Sequence, residues 1–166
     1  MMKRREFIGG IAGTAAAWPL AALAQQTERM RRIGVLVNLA ADDPESQRRV
    51  TAFAQGLQEL GWTDGRNVRI DIRWSAGDAE RLRRNVAELV ALAPEIILAP
   101  GGPTVALVQK ASRTLSIVFV NVVDPVGGGF VASLARPGGN ATGFTSFEFG
   151  MSAKWLVACF NQFERI

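Results

Sequence analysis

Five short apolar runs along the chain predict the strands of a sheet. The first, third and fourth are continuously apolar and rich in β-branched residues, which is typical of strands covered on both faces in a parallel sheet. The second, "VRIDIRW", alternates apolar and polar residues, so we expect it at or near a sheet edge. The runs lie at 32–38, 68–74, 95–100, 116–122 and 141–147.

Helical patterns of apolar residues lie between these runs, over 45–60, 79–92, 103–111 and 125–135. Pro103 and Pro125 stand at favoured first helical positions. Asp78 and Asp124 precede helices as N-caps. The alternation of strand and helix predicts an α/β fold. We expect a parallel sheet of about five strands in the order 2-1-3-4-5, with right-handed crossovers and helices on both faces.

The N-terminal stretch "KRREFIGGIAGTAAAWPLAALA" has the composition of an export signal. It begins with basic residues, continues with an apolar run and ends on the small-residue pattern of a cleavage site. Arg4 and Arg5 resemble a twin-arginine signal, although the general secretory route stays open. We predict that residues 1–24 are a signal peptide cleaved near Ala24. An uncleaved N-terminal anchor is the alternative.

Charge and composition narrow the function classes. The net charge is +4, half of it in the signal, and the remaining basic residues are scattered, so we expect no nucleic-acid partner. Arg81, Arg83 and Arg84 come nearest to a patch and are interpreted as the solvated face of a helix. The sequence contains no histidine, and Cys159 has no base partner. We therefore expect no enzyme, no metal site and no cofactor.

The glycine-rich stretch "DPVGGGFVASLARPGGNATG" does not match a nucleotide-binding loop. No Gly-Lys-Ser or Gly-Lys-Thr occurs, as a Walker loop requires, and no glycine directly follows the first strand, as a Rossmann fingerprint requires. The three glycines at 127–129 are interpreted as allowing close backbone packing or the approach of a ligand. Gly138 and Gly139 are predicted to form a turn.

Ligands of such sheets bind at the carboxyl ends of the strands, which here are the loops 38–44, 100–104 and 121–125. Asn38 either donates to a ligand or satisfies the local backbone. Thr104 opens a helix whose N-terminus suits a carboxylate. Asp124 is either an N-cap alone or also faces a ligand ammonium group.

The strings "RRIGVLVN", "FAQGLQELGWTDGRNVRIDIRW", "LAPGGPTVALVQKAS" and "IVFVNVVDPVGGGFVASLARPGGNATGFTSFE" follow one another in order. They resemble the periplasmic substrate-binding proteins of the ABC-transporter family linked with tryptophan, tyrosine and other amino-acid-like ligands. The resemblance covers roughly residues 31–157. It implies a type I periplasmic-binding fold with two lobes, a small-molecule ligand between them, a periplasmic location, an ABC permease as partner and no covalent chemistry.

Carried onto this sequence, the resemblance implies ligand-binding residues in the strand-end loops of the first lobe. They are Asn38, Leu39, Ala40, Ala41, Gly102, Pro103, Thr104, Val123 and Asp124. An amino-acid ligand would place its carboxylate near Thr104 and its ammonium group near Asp124.

Residues 25–147 would form the N-terminal lobe, and residues 148–166 would begin an interlobe crossing helix. Family members are longer and carry a second lobe, whereas "LVACFNQFERI" does not resemble their continuation. We therefore expect a truncated or frameshifted end, and possible homodimerisation through the exposed interlobe surface.

Two further hypotheses stay open. One is a non-functional or self-pairing half-domain fragment. The other is a flavodoxin-like regulatory or enzymatic domain, for which Asp42 and Asp43 are the only acidic pair at a strand end. Helix-end electrostatics also account for that pair.

Overall fold

The computed structural model describes residues 30–145. The predicted signal peptide and the predicted helix after residue 148 lie outside this range. The strands are β1 (Arg31–Val37), β2 (Val68–Trp74), β3 (Ile96–Pro100), β4 (Ser116–Val120) and β5 (Ala141–Gly143). The helices are α1 (Pro44–Glu59), α2 (Ala79–Ala91) and α3 (Gly102–Ala111). Within 30–145, no helix is long and apolar enough to cross a membrane.

The five strands form one parallel sheet in the order β2-β1-β3-β4-β5. This confirms the predicted fold class, strand order and edge position of β2. The alternation in β2 has a structural reason. Its polar side chains share the face covered by α2, where Arg73 Nε lies 2.9 Å from Glu88 Oε2. On the same face, Asp71 Oδ2 lies 3.1 Å from Arg32 Nε of β1.

Helices α2 and α3 cover one face of the sheet and form the main core with it. Phe119 of β4 is fully buried there. A Cβ added to Gly143 would lie 2.0 Å from the Phe119 carbonyl oxygen, so only glycine lets β5 pair this closely. The core combines Val86, Leu89, Val105 and Val108 of the helices with Ile97, Ala99, Ile117 and Phe119 of the strands. Each of these valine, leucine, isoleucine and phenylalanine side chains contributes roughly 1.5–3 kcal/mol when fully buried.

Helix α1 lies on the other face and is fixed at its N-terminus. Asp43 Oδ1 accepts the backbone N–H groups of Glu45 at 2.8 Å and Ser46 at 3.1 Å. These bonds satisfy donors that have no partner within a helix. The buried Ser46 Oγ accepts Trp74 Nε1–H from β2 at 3.0 Å, which joins the helix to the sheet. Helix-end capping therefore explains Asp43 of the acidic pair.

Helix α2 begins as the sequence predicts. Asp78 Oδ1 accepts the backbone N–H of Arg81, and this hydrogen bond lowers the pKa of the carboxyl group. Arg81, Arg83 and Arg84 lie on the exposed face of the helix. Their interpretation as a solvated face is confirmed.

The predicted helix over 125–135 is wrong, because the segment after β4 forms only one turn of helix. Asp124 caps this turn, since its Oδ1 accepts the N–H of Gly127 at 2.7 Å. The turn ends at Gly129, which has a φ of 71°. Phe130 N–H donates to Pro125 O at 2.9 Å, and Gly129 N–H donates to Val126 O at 3.0 Å. This is a Schellman ending.

Glycine composition explains the difference. Each glycine in a helix interior costs about 1 kcal/mol relative to alanine, and three in succession remove the helical preference of the segment. The apolar periodicity beyond them indicated a helix, but Val131 packs into the core from a loop instead.

The N-cap of α1 gives a direct test. Replacing Asp43→Ala leaves two backbone N–H groups without their acceptor, and we expect a loss of about 1 kcal/mol in the free energy of unfolding. Asp42→Ala is the matched control, because Asp42 is exposed and caps nothing in the structure. Urea unfolding of both variants, followed by circular dichroism, measures the difference. Equal effects of the two substitutions would contradict the capping role.

Candidate functional site

Three strand-end loops meet at the carboxyl edge of the sheet, and direct hydrogen bonds hold them together. Asn38, which follows β1, donates its Nδ2–H to Pro100 O at 3.2 Å. Thr104 Oγ1, in the first turn of α3, donates to Asn38 Oδ1 at 3.3 Å. Gly101 N–H donates to Val120 O at 2.9 Å. The loops after β1, β3 and β4 therefore form one continuous junction.

The N-terminus of α3 opens at this junction. Its N-cap is Gly101, with a φ of 76°, and within the described residues no side chain caps the helix. The first backbone N–H groups of a helix carry partial positive charge and bind anions well. Thr104 is buried beside them, at 1% exposure. This end of α3 can therefore accept a carboxylate next to a hydroxyl group and an amide group.

The chain after β4 turns sharply at Asn121, which has a φ of 57°. Left-handed backbone is uncommon for residues other than glycine, and asparagine tolerates it better than most. Val122 is buried, whereas Val123 is 59% exposed and Asp124 is exposed as well. Val123 and Asp124 are therefore accessible to solvent, although Val122 and Pro125 on either side of them are buried.

The glycine-rich stretch shapes the backbone beside the site. A Cβ added to Gly127 would lie 2.0 Å from Asp124 Oδ2, and one added to Gly128 would lie 2.8 Å from Phe130 Cε2. The Phe130 ring also touches Gly102 at the start of α3, where an added Cβ would approach it to 3.3 Å. These glycines admit a carboxylate and an aromatic ring at close range.

A cavity of about 290 Å³ lies between α1 and the sheet, next to the junction. Most of its wall is apolar, and Asn38, Arg49 and Asn121 provide its polar groups. Glu45 Oε1 holds Arg49 Nε at 2.8 Å, and hydrogen bonds from Arg48 and Arg49 lower the pKa of Glu45. The wall consists of Val35, Leu36, Val37, Asn38, Leu39, Arg49, Val50, Phe53, Leu98, Pro100, Gly101, Val120 and Asn121.

The structure brings together some of the residues predicted for the site. Asn38 and Thr104 are hydrogen-bonded, and Asn38 and Leu39 line the cavity. Ala40 and Ala41 lie in the turn before α1, where their carbonyl groups accept from Asp43 N–H and Gln47 Nε2–H.

The remaining predicted residues are not part of the cavity wall. Gly102 and Pro103 open α3, and Val123 and Asp124 lie in the exposed loop after β4. Sequence reasoning missed Asn121 and Phe53. The available signal for Asn121 was an asparagine inside the predicted run 116–122, because asparagine tolerates left-handed backbone. Within residues 30–145, no group of three acidic, cysteine or histidine side chains is placed to hold a metal ion.

The chain is similar in sequence to a known protein family. Residues 32–151 match the model of a family described as ABC transporter substrate binding protein. A curated "Tyrosine-binding protein" of Clostridioides difficile is 24% identical over 123 residues, covering 74% of this chain and 36% of that protein.

Two solved structures share the fold. A conserved domain protein of Vibrio cholerae has a TM-score of 0.67 at 24% identity, covering 78% of this chain and 43% of its own. An ABC domain from Streptococcus pneumoniae in complex with L-Trp has a TM-score of 0.63 at 28% identity, covering 70% and 39%. This chain thus spans less than half the length of each of these relatives.

The close packing of the glycines is testable. We expect Gly128→Ala to lower the free energy of unfolding by about 1–3 kcal/mol, because the new methyl group would overlap the Phe130 ring and the Asp124 carbonyl oxygen. Gly139→Ala is the control, since a Cβ there meets no atom within 4 Å. We expect that variant to stay within about 0.5 kcal/mol of the parent. Chemical unfolding compares the two, and a harmless Gly128→Ala would show that the turn tolerates a side chain.

Proposed function

Because the chain belongs to the ABC transporter substrate binding protein family, we propose that it is the solute-binding component of an ABC-type uptake system. Its ligand is an amino-acid-like small molecule, bound in a cleft whose described wall is the carboxyl edge of the sheet. The observation that carries this proposal is the junction of Asn38 and Thr104 beside the uncapped N-terminus of α3. Helix N-termini bind carboxylates well, and amide groups can donate or accept.

The two ends of an amino acid fit opposite sides of this wall. The carboxylate takes backbone N–H groups near Thr104, and the ammonium group takes Asp124. Asp124 Oδ1 already accepts Gly127 N–H, but a carboxylate offers about four lone-pair sites and keeps capacity for a cation. In this proposal the ligand contacts Asn38 to Ala41, Gly102 to Thr104, Val123 and Asp124.

The apolar cavity beside the junction indicates the ligand's side chain. Relatives are named for tyrosine or were solved with L-Trp. A cavity of about 290 Å³ with Val50 and Phe53 in its wall suits a side chain of that apolar, aromatic class. We therefore propose that this chain also prefers aromatic amino acids as ligands.

The mechanism is binding without covalent chemistry. The relatives are substrate-binding proteins rather than enzymes. In the two-lobed family the lobes close on the ligand. A second lobe, or the interlobe surface of a second copy of this chain, would supply the opposite wall.

The location follows from the N-terminal sequence. Residues 1–24 act as an export signal that is removed near Ala24, and the protein works in the periplasm, where an ABC permease receives the ligand. Residues 25–147 form the binding lobe, and residues 148–166 follow it.

The function is tested by titrating the ¹⁵N-labelled chain with L-tryptophan and L-tyrosine in an NMR experiment. We expect shifts confined to amides of the loops 38–41, 101–104 and 121–124. One wall supplies only part of the contacts, so we expect a Kd of about 1 mM. L-Lysine is the ligand control. No shifts up to about 10 mM of either aromatic amino acid, or shifts elsewhere, would overturn the proposal.

Substitutions test which residues bind the two ends of the ligand. We expect Asn38→Ala and Asp124→Ala each to weaken binding about three- to tenfold, the effect of losing a hydrogen bond or an exposed ion pair. Arg113→Ala is the control, because Arg113 is exposed and lies between α3 and β4 at the opposite edge of the sheet. Unchanged affinity after Asp124→Ala would leave that residue as an N-cap only.

A further inference from the structure

The two charged groups of an amino acid share one carbon atom, so the protein groups that bind them must keep a fixed separation. Standard bond lengths and angles hold the ammonium nitrogen about 2.5 Å from the carboxyl carbon. In the proposed function, the carboxylate takes the N-terminus of α3 and the ammonium group takes Asp124. These protein groups belong to different loops, after β3 and after β4, and Asp124 is exposed. Contacts between the two loops are therefore needed to keep the separation constant.

The segment from Asp124 to Phe130 is a closed turn. Asp124 Oδ1 accepts Gly127 N–H at 2.7 Å, and Asp124 O accepts Gly128 N–H at 3.0 Å. At the other end of the turn, Phe130 N–H donates to Pro125 O at 2.9 Å. These hydrogen bonds fix Phe130 relative to the Asp124 carboxylate. A displacement of Phe130 therefore moves the turn that carries Asp124.

The Phe130 ring lies between this turn and the first residue of α3. Its Cε2 atom would lie 2.8 Å from a Cβ added to Gly128 and 3.3 Å from a Cβ added to Gly102. Because neither glycine has a side chain, the edge of the ring approaches the backbone of both segments. Phe130 also packs against the hydrophobic core, which holds the ring in place. The ring thus acts as a spacer between the glycine-rich turn and α3.

A hydrogen bond joins Phe130 to α3 at a second point. Gln109 Nε2–H donates to Phe130 O at 3.1 Å. Gln109 lies about two helical turns beyond Gly102, so the ring and the carbonyl group of Phe130 contact α3 at two separate places. The next residue, Val131, is buried in the core and anchors the end of the turn. The position of the turn against α3 is therefore set by Phe130.

We propose that Phe130 is a positioning residue, whose ring sets the spacing between the N-terminus of α3 and the Asp124 carboxylate. That spacing selects ligands whose ammonium and carboxylate groups share one carbon atom, as in α-amino acids. The proposal rests on the proposed function and adds a residue that is neither in the cavity wall nor in the predicted ligand set. Hydrogen bonds are lost once donor and acceptor are more than about 3.5 Å apart. A ligand held at both ends is therefore sensitive to a shift of about 1 Å.

Phe130→Leu tests this role, because leucine is apolar but lacks the outer ring atoms that approach Gly102 and Gly128. The probes are L-tryptophan and L-β-homotryptophan, which has one more methylene group between its ammonium and carboxylate groups. 3-Indolepropionate, which has the carboxylate but no ammonium group, is the control ligand. Each compound is titrated into the ¹⁵N-labelled full chain, and its Kd is taken from the amide shifts of residues 101–104.

We expect the parent to bind L-tryptophan about three- to tenfold more tightly than L-β-homotryptophan, because the longer spacing loses one hydrogen bond or ion pair. In Phe130→Leu we expect this ratio to fall below about two, with the affinity for 3-indolepropionate within about twofold of the parent. Leu115→Ala is the control variant, since Leu115 also packs against the core but directly precedes β4 at the amino edge of the sheet. We expect it to lower stability without changing the ratio.

Gln109→Met is the second variant if Phe130→Leu does not keep the circular dichroism of the parent. Methionine resembles glutamine in shape and helix preference but removes the hydrogen bond to Phe130 O, and we expect the ratio to fall as well. An unchanged ratio in a folded variant, or equal affinities of the parent for both probes, would overturn the positioning role and leave the proposed function in place. Absence of L-tryptophan binding to the parent would overturn both.

Discussion

The burial of β3 and β4 between their neighbours is the constraint on which the rest of the structure depends. Ile97 and Phe119 are fully enclosed by α2 and α3, and Gly143 allows β5 to approach Phe119 at a distance no other residue permits. This packing fixes the parallel register of the central strands. The register in turn fixes where the strands end, and so it brings Asn38, Gly101 and Asn121 to one edge. The candidate site is a consequence of the core.

Most of the fold could be predicted because apolar patterning and burial agree along this chain. The continuous runs of β1, β3 and β4 became interior strands, and the alternating β2 became an edge strand whose Arg73 meets Glu88. The helix predicted over 125–135 failed where two signals disagreed. Apolar spacing favoured a helix, but Gly129 takes a positive φ that ends it after one turn. The free-energy cost of placing glycines in a helix outweighed the helical spacing of the apolar residues there.

The site was predicted less completely, because its geometry depends on long-range contacts. Fold logic located the three loops, but no local pattern shows that Asn38 reaches both Pro100 and Thr104. The φ of Asn121 and the position of Phe53 in the cavity wall follow from how the elements pack. Asp124 shows the complementary case. Its capping role is local and was predictable from Asp-Pro, whereas a role towards a ligand depends on what lies across the cleft.

Two surfaces of the described lobe are exposed, and they differ in how well water hydrates them. At the carboxyl edge, the amide of Asn38 and the N–H groups that open α3 are polar, and solvent satisfies them until a ligand displaces it. Water cannot satisfy the half-buried side chains of Leu98 and Val118, which are paired in register on β3 and β4, in that way. A surface that water satisfies suits reversible binding, whereas an apolar one favours a permanent neighbour. The chemistry of the carboxyl edge therefore suits a ligand that exchanges with water.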